Sequence, residues 1–119
     1  EQLTQVLRQT EGKRILLLGV SYALMDFADY YNRPLPENVI VMETGGMKGR
    51  REELSKQELH GYLSRKFHTT IHSEYGMTEL MSQAYSKAKG IFERPPQMKL
   101  LIRDRYDPFS YLATGKTGG

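Results

Sequence analysis

The feature that most limits the fold of this chain is an alternation of short, wholly apolar runs with stretches of helical spacing. I-L-L-L at residues 15–18 is followed by Leu24, Phe27, Ala28 and Tyr31, which recur at helical intervals until Asn32-Arg33-Pro34 stops them. V-I-V-M at residues 39–42 leads through Thr44-Gly45-Gly46 to a second helical stripe of Leu59, Tyr62, Leu63 and Phe67. Ser55 and Glu58 open that stripe as a capping box. Continuous apolar runs of this length suit strands covered on both faces. A helix is expected at residues 1–7, a third strand at 69–73 and a further helix from Thr78 to about Lys87. M-K-L-L-I-R-D-R at residues 98–105 reads as a strand pairing with Tyr111-Leu112 across D-P-F-S. Strand and helix in turn mean βαβ units. The expected fold is therefore α/β: one subdomain over residues 1–119, a mostly parallel sheet flanked by helices, with a β-hairpin near the C-terminus.

Composition narrows the function classes. The chain has 119 residues, a size suited to one domain, and its charges are mixed in sign. Residues 1–60 hold 8 Lys/Arg against 9 Asp/Glu and residues 61–119 hold 9 against 5, so the net charge of +3 is a mild excess in the second half. A nucleic-acid surface needs a denser basic stripe with stacking aromatics, so no nucleic-acid partner is expected. There is no cysteine, hence no disulfide, thiolate metal site or thiol nucleophile in these residues. No apolar run is long enough to span a bilayer and no signal-peptide pattern opens the chain, so a cytoplasmic location is expected. The chain starts without Met inside a helical stretch and ends on T-G-K-T-G-G, and it is expected to be truncated at both ends from something larger. Sheet edges bared by such truncation would favour a dimer of the fragment.

The chemistry concentrates at two loops. In a parallel sheet, ligands bind beyond the carboxyl ends of the strands. T-G-G after the second strand and E-Y-G-M-T-E after the third leave two such ends, and both hold glycine, which permits close backbone approach or positive φ. Thr78 would sit near a helix N-terminus that favours an anion such as phosphate. Glu79 offers a hard oxygen for Mg²⁺ carried on phosphates, and Tyr75 a flat face for a base. The same residues also admit a purely structural role: Tyr75 as a core aromatic closing the sheet end, Thr78 as an N-cap, and Glu79 as a first-turn acid complementing the helix dipole. Gly45-Gly46 by itself is more often a turn than a site.

Y-G-M-T-E resembles the signature of the adenylate-forming (acyl-activating) superfamily, and the Gly-Gly turn about thirty residues upstream, with a helix between, follows that family's order. The runs M-E-T-G-G-M-K-G-R-R-E-E-L and H-S-E-Y-G-M-T-E-L-M-S-Q resemble the acyl-protein synthetases of bacterial luminescence, with phenylacetate–CoA ligases and F390 synthetases as related families. The resemblance is sharp over residues 42–83. It implies part of an ATP-dependent ligase that forms an acyl-adenylate from a carboxylic, here fatty, acid and passes the acyl group to a protein Cys or coenzyme A. By resemblance, Gly45 and Gly46 border acyl pocket and adenine, Tyr75 stacks on adenine, and Gly76 and Met77 line the acyl-adenylate pocket. Thr78 bonds phosphate and Glu79 holds Mg²⁺, which makes these two the catalytic pair, with ATP and Mg²⁺ as cofactors. Ser73 departs from the Asn or Gln that the family often has two residues before the Tyr. The family's phosphate loop would lie before Glu1. Its ribose-binding Asp, catalytic Lys and acyl-accepting Cys would lie after Gly119, so the fragment alone is expected to be inactive.

Other patterns carry less. G-K-T at residues 115–117 resembles the end of a Walker A loop, but the first glycine of that motif would fall at Ser110. His68 and His72 are four apart, yet they straddle a helix end and a strand and so share no face. K-G-R-R at residues 48–51 reads as a solvated loop. The alternative to a ligase is a non-catalytic α/β module that keeps the scaffold to bind a partner or an anion.

Overall fold

The computed structural model describes residues 2–10, 12–77 and 79–118. In chain order the elements are α1 (Gln2–Gln9), β1 (Ile15–Val20), α2 (Ser21–Tyr31), β2 (Val39–Thr44), α3 (Lys56–Phe67), β3 (Ile71–Tyr75) and β4 (Ala84–Ser86). The fold is α/β, with a mixed four-stranded sheet in the order β1-β2-β3-β4. β1 runs parallel to β2 with Ile15 opposite Val39, and β2 parallel to β3 with Val41 opposite Ile71; β4 is antiparallel to β3. Among the described residues no helix is long and apolar enough to cross a membrane.

Two of the expected helices, α2 and α3, form where the sequence places stops and caps. α2 ends at Asn32, whose left-handed conformation (φ 44°) lets its N–H reach the Ala28 carbonyl. α3 starts with the Ser55–Glu58 capping box complete in both directions and ends at His68, also left-handed (φ 55°). Leu24, Met25, Ala28, Leu59, Leu63 and Phe67 from these helices pack on Leu17, Val39, Val41 and Ile71 of the sheet, and Leu7 of α1 joins the same core. Leu35, just after α2, donates its N–H to the Phe67 carbonyl (3.0 Å), which ties the two helix ends together.

The sheet is covered on one face only, contrary to the expectation from its apolar runs. Leu16 and Leu18 of β1 are 56% and 51% exposed, and Ile40 of β2 is exposed beside them. The reason lies in the strand order. β1, β2 and β3 advance in a single direction, and two crossovers of one hand taken in one direction put both helices on the same side.

The stretch expected to be a helix from Thr78 to about Lys87 is not one: residues 79–82 form turns and bends, and β4 follows. Leu80, Met81, Ala84, Tyr85 and Ala88 do recur at helical spacing, but Met81 is fully exposed, so there is no apolar surface for such a stripe to bury. An isolated helix of that length is marginal in water, whereas the free edge of β3 offers unpaired backbone groups. A-Y-S answers it at period two, with Ala84 and Ser86 buried and Tyr85 exposed. The expected C-terminal hairpin is reduced to one bridge, Arg103 to Tyr111, flanked by Asp104 N–H to Ser110 O (2.9 Å) and Leu112 N–H to Ile102 O (2.8 Å). The D-P-F-S turn is held by Asp107, which accepts from the Phe109 amide and the Ser110 hydroxyl.

Candidate functional site

The two glycine-bearing loops leave the carboxyl ends of adjacent parallel strands. Glu43 of β2 lies opposite Ser73 of β3, so Gly45 and Tyr75 each stand two residues beyond a paired position and the loops begin side by side. Gly45 has φ +71°, a conformation that a side chain resists, and Gly46 has open space where a Cβ would be. Gly76 has a different requirement: a Cβ there would come within 2.8 Å of the Gln83 side chain. Tyr75 is half exposed, its ring edge-on to Phe92 at 6.0 Å between centroids. It is therefore an accessible aromatic face and not a core plug. Met77 is exposed and its carbonyl accepts from Leu80 N–H (3.0 Å), closing a turn.

Thr78 lies outside the described residues. Glu79 is exposed on that turn, with no helix after it, so neither the first-turn dipole role nor an anion site at a helix N-terminus applies here. No hydrogen bond or ion pair among the described residues joins Glu79 to the Gly45-Gly46 turn. Among those residues no group of three or more His, Cys, Asp or Glu gathers to hold a metal.

The loop over residues 45–55 is held at three points. At its neck, Lys56 Nζ lies 2.5 Å from Glu43 Oε1, which joins the end of β2 to the first residue of α3. In its middle, Met47 is buried in the core. Towards its far end, Arg51 pairs with Asp26 (2.5 Å) and Asp29 (3.0 Å) on α2, and Arg50 lies over the Tyr22 ring at 5.2 Å. K-G-R-R is thus partly a clasp onto α2 and not simply a solvated run. The Tyr62 hydroxyl also donates to Asp29; that bond is the main reason the Asp29 carboxyl lies below its usual range, against burial and with help from Arg51.

Beneath the loops lies a network that the sequence reading did not single out. Glu43 is fully buried. Its Oε1 accepts from Lys56 and from Ser73 Oγ (2.6 Å), and His60 Nε2 lies 3.3 Å away; Ser21 Oγ is 3.4 Å from Oε2. Burial alone pushes the Glu43 carboxyl up. Bonds from Lys56, Ser73 and His60 outweigh it, and the group ends below its ordinary value. The Ser73 hydroxyl has one proton, given to Glu43, so at 2.9 Å from His60 Nε2 it accepts the ring N–H. Serine and glutamate both meet the same ring nitrogen, so this is not a nucleophile–base–orienter relay. The signal in the sequence was Glu43 itself, an acid on the inward period of Val39 and Val41, with Lys56 and His60 four apart on α3.

A groove of about 940 Å³ runs along α3 towards the turn at residues 88–90, lined among others by Lys56, His60, Ser64, His68, Thr70 and Lys89. Among the described residues, none of the site residues expected from sequence lines it. Comparison with protein-family models, with curated proteins and with solved structures gives no match.

Proposed function

We propose that the chain is part of an ATP-dependent acyl-activating ligase, and that the crevice between the Gly45-Gly46 turn and the Tyr75–Met77 segment is its acyl-adenylate site. The observation that carries this reading is the placement of the two motif loops at neighbouring carboxyl ends of parallel strands, with Tyr75 half exposed at the end of β3. α/β sheets bind ligands beyond the carboxyl ends of their strands, but the strand order does not reverse between β2 and β3, so the weight falls on the motifs that meet there, which resemble the adenylate-forming superfamily. Tyr75 supplies a stacking face for adenine, and the glycines let backbone approach the ligand. Thr78 and Glu79 are assigned to phosphate and Mg²⁺ by resemblance alone. The substrate is a carboxylic acid, taken as fatty, and the acceptor a protein Cys or the coenzyme A thiol. Bringing a carboxylate to the α-phosphate unites two anions, so cation and hydrogen-bond donors at the developing charge are the main requirement.

ATP–pyrophosphate exchange by the natural full-length gene product, across short, aromatic and long-chain acids, tests the proposal. Exchange that needs Mg²⁺ and one class of acid supports it. Glu79→Gln is expected to abolish exchange while thermal stability stays within about 0.5 kcal/mol, as for other exposed positions. A folded full-length protein that exchanges with no acid overturns it. One observation favours the second reading, a non-catalytic binding module: the motif is followed by a turn, without the helix that would aim backbone N–H groups at a phosphate.

A further inference from the structure

Glu43 is the only charged side chain fully buried among the described residues, and its partners come from every element that meets at the crevice. Ser73 belongs to β3, two residues before Tyr75. Lys56 and His60 belong to α3, where the chain re-enters the fold after the Gly45-Gly46 loop. Ser21 opens α2 and lies 3.4 Å from both Glu43 Oε2 and the Gly45 carbonyl. Glu43 itself is two residues before Gly45. A single carboxylate therefore stands at the root of both loops. Its two short bonds, 2.5 Å from Lys56 and 2.6 Å from Ser73, draw the neck of one loop and the strand that feeds the other onto the same oxygen.

We propose that Glu43 is the positioning residue of the crevice: through Lys56 and Ser73 it fixes the separation between the Gly45-Gly46 turn and Tyr75. The role follows from where the bonds lie. Bonds to a buried ionised acceptor are the strong ones; Ser73 meets Glu43 wholly inside the fold, while Lys56, half exposed, reaches the same oxygen from the solvent side. Ser73 bears this out at the level of a single side chain. Its hydroxyl is fully buried and committed to Glu43 and His60, so it contacts no ligand in the crevice and acts on Tyr75 only through the strand they share. The inference rests on the crevice being a nucleotide site only for its effect on ATP. The tie between the two loops stands apart from that reading.

The test uses the full-length protein with three variants. Ser73→Ala removes one short bond and leaves the Lys56 pair. Glu43→Gln keeps the shape and removes the charge. Asn38→Ala is the control, since it removes bonds to the Thr10 and Lys13 carbonyls at the amino end of the sheet, away from both loops. Hydrogen–deuterium exchange is followed in residues 44–48 and 74–77 together with the melting temperature and the KM for ATP. Ser73→Ala and Glu43→Gln are expected to speed exchange in both segments together. They are also expected to raise KM about tenfold, within the ~100-fold that a 1 Å misplacement of a binding group can cost. Asn38→Ala, which lowers the melting temperature from the far end of the sheet, is expected to do neither. If the network variants melt earlier but both segments exchange as in the wild type, Glu43 only holds the fold and the proposal is overturned. Should Glu43→Gln fail to fold, Ser73→Ala decides by the same measure. If the wild type shows no pyrophosphate exchange, the ligase reading falls, and the coupling of the two segments alone decides whether Glu43 positions them.

Discussion

At the scale of single residues, Glu43 makes the fold sensitive to acid. Its folded-state carboxyl is held below the usual range, so the unfolded chain takes up the proton first as pH falls. The stability it contributes is whole at neutral pH, above the ordinary value of about 4.3, and disappears as pH drops through the lowered folded value. Glu43→Gln should therefore lower the melting temperature most at pH 7, with the gap to wild type closing as pH falls below the ordinary carboxyl range and through the lowered folded value. Melting curves across that range check it, and a gap that does not change with pH would count against a charged Glu43. The paired glycines give a second contrast. Gly45→Ala forces φ +71° on a side chain and should cost ~1–2 kcal/mol, whereas Gly46→Ala meets open space and should cost less than about 0.5 kcal/mol in a denaturant melt. Of these residues the sequence shows that Glu43 points inward, since it continues the period of Val39 and Val41. Its bond to Ser73 could not be read, because it depends on the register between two strands thirty residues apart.

At the scale of elements, local signals succeed where an element is closed by its own residues and fail where it depends on a distant surface. The start of α3 is written in Ser55 and Glu58, which satisfy each other's backbone groups: Glu58 N–H to Ser55 Oγ is 3.2 Å and Ser55 N–H to Glu58 Oε2 is 2.9 Å. Ser55→Ala should cost ~1 kcal/mol. Glu58→Ala should cost a similar amount or less, and the double variant less than the sum, because either change already breaks the reciprocal pair. Chemical denaturation of the three variants measures this, and strict additivity would mean the box contributes nothing as a unit. The region of β4 shows the opposite case. Its helical stripe is genuine in the sequence, but Leu80 and Met81 have no core to meet, and the competing partner is the edge of β3. That edge is invisible until the sheet is assembled. The helix expected to aim Thr78 and Glu79 at an anion was the part of the candidate site that rested on such a distant condition.

At the scale of the whole molecule, the strand order decides which surfaces remain. A sheet that advances from β1 to β3 in one direction is lined by α2 and α3 on one face and by nothing on the other, among the described residues. A continuous apolar run such as I-L-L-L has the same appearance whether its second face meets the chain's own helices or a different surface, so sequence could show a parallel sheet without showing that half its surface stays open. The opposite edge of the sheet is partly shielded, because Tyr85 of β4 bridges to Glu93, but β1 pairs with β2 alone. Leu16, Leu18 and Ile40 thus lie exposed next to an unpaired parallel edge, a combination that favours strand-to-strand association. The 119-residue chain is expected to self-associate through this corner. Leu16→Lys with Leu18→Lys should shift sedimentation towards the monomer, and, since both side chains already face water, should leave the melting temperature of the monomer nearly unchanged. A wild-type chain that sediments as a monomer at tens of micromolar would show that the corner is tolerated in water. A double variant that associates as before would place the contact elsewhere, with the exposed Tyr106, Phe109 and Tyr111 of the C-terminal segment the next apolar side chains to replace.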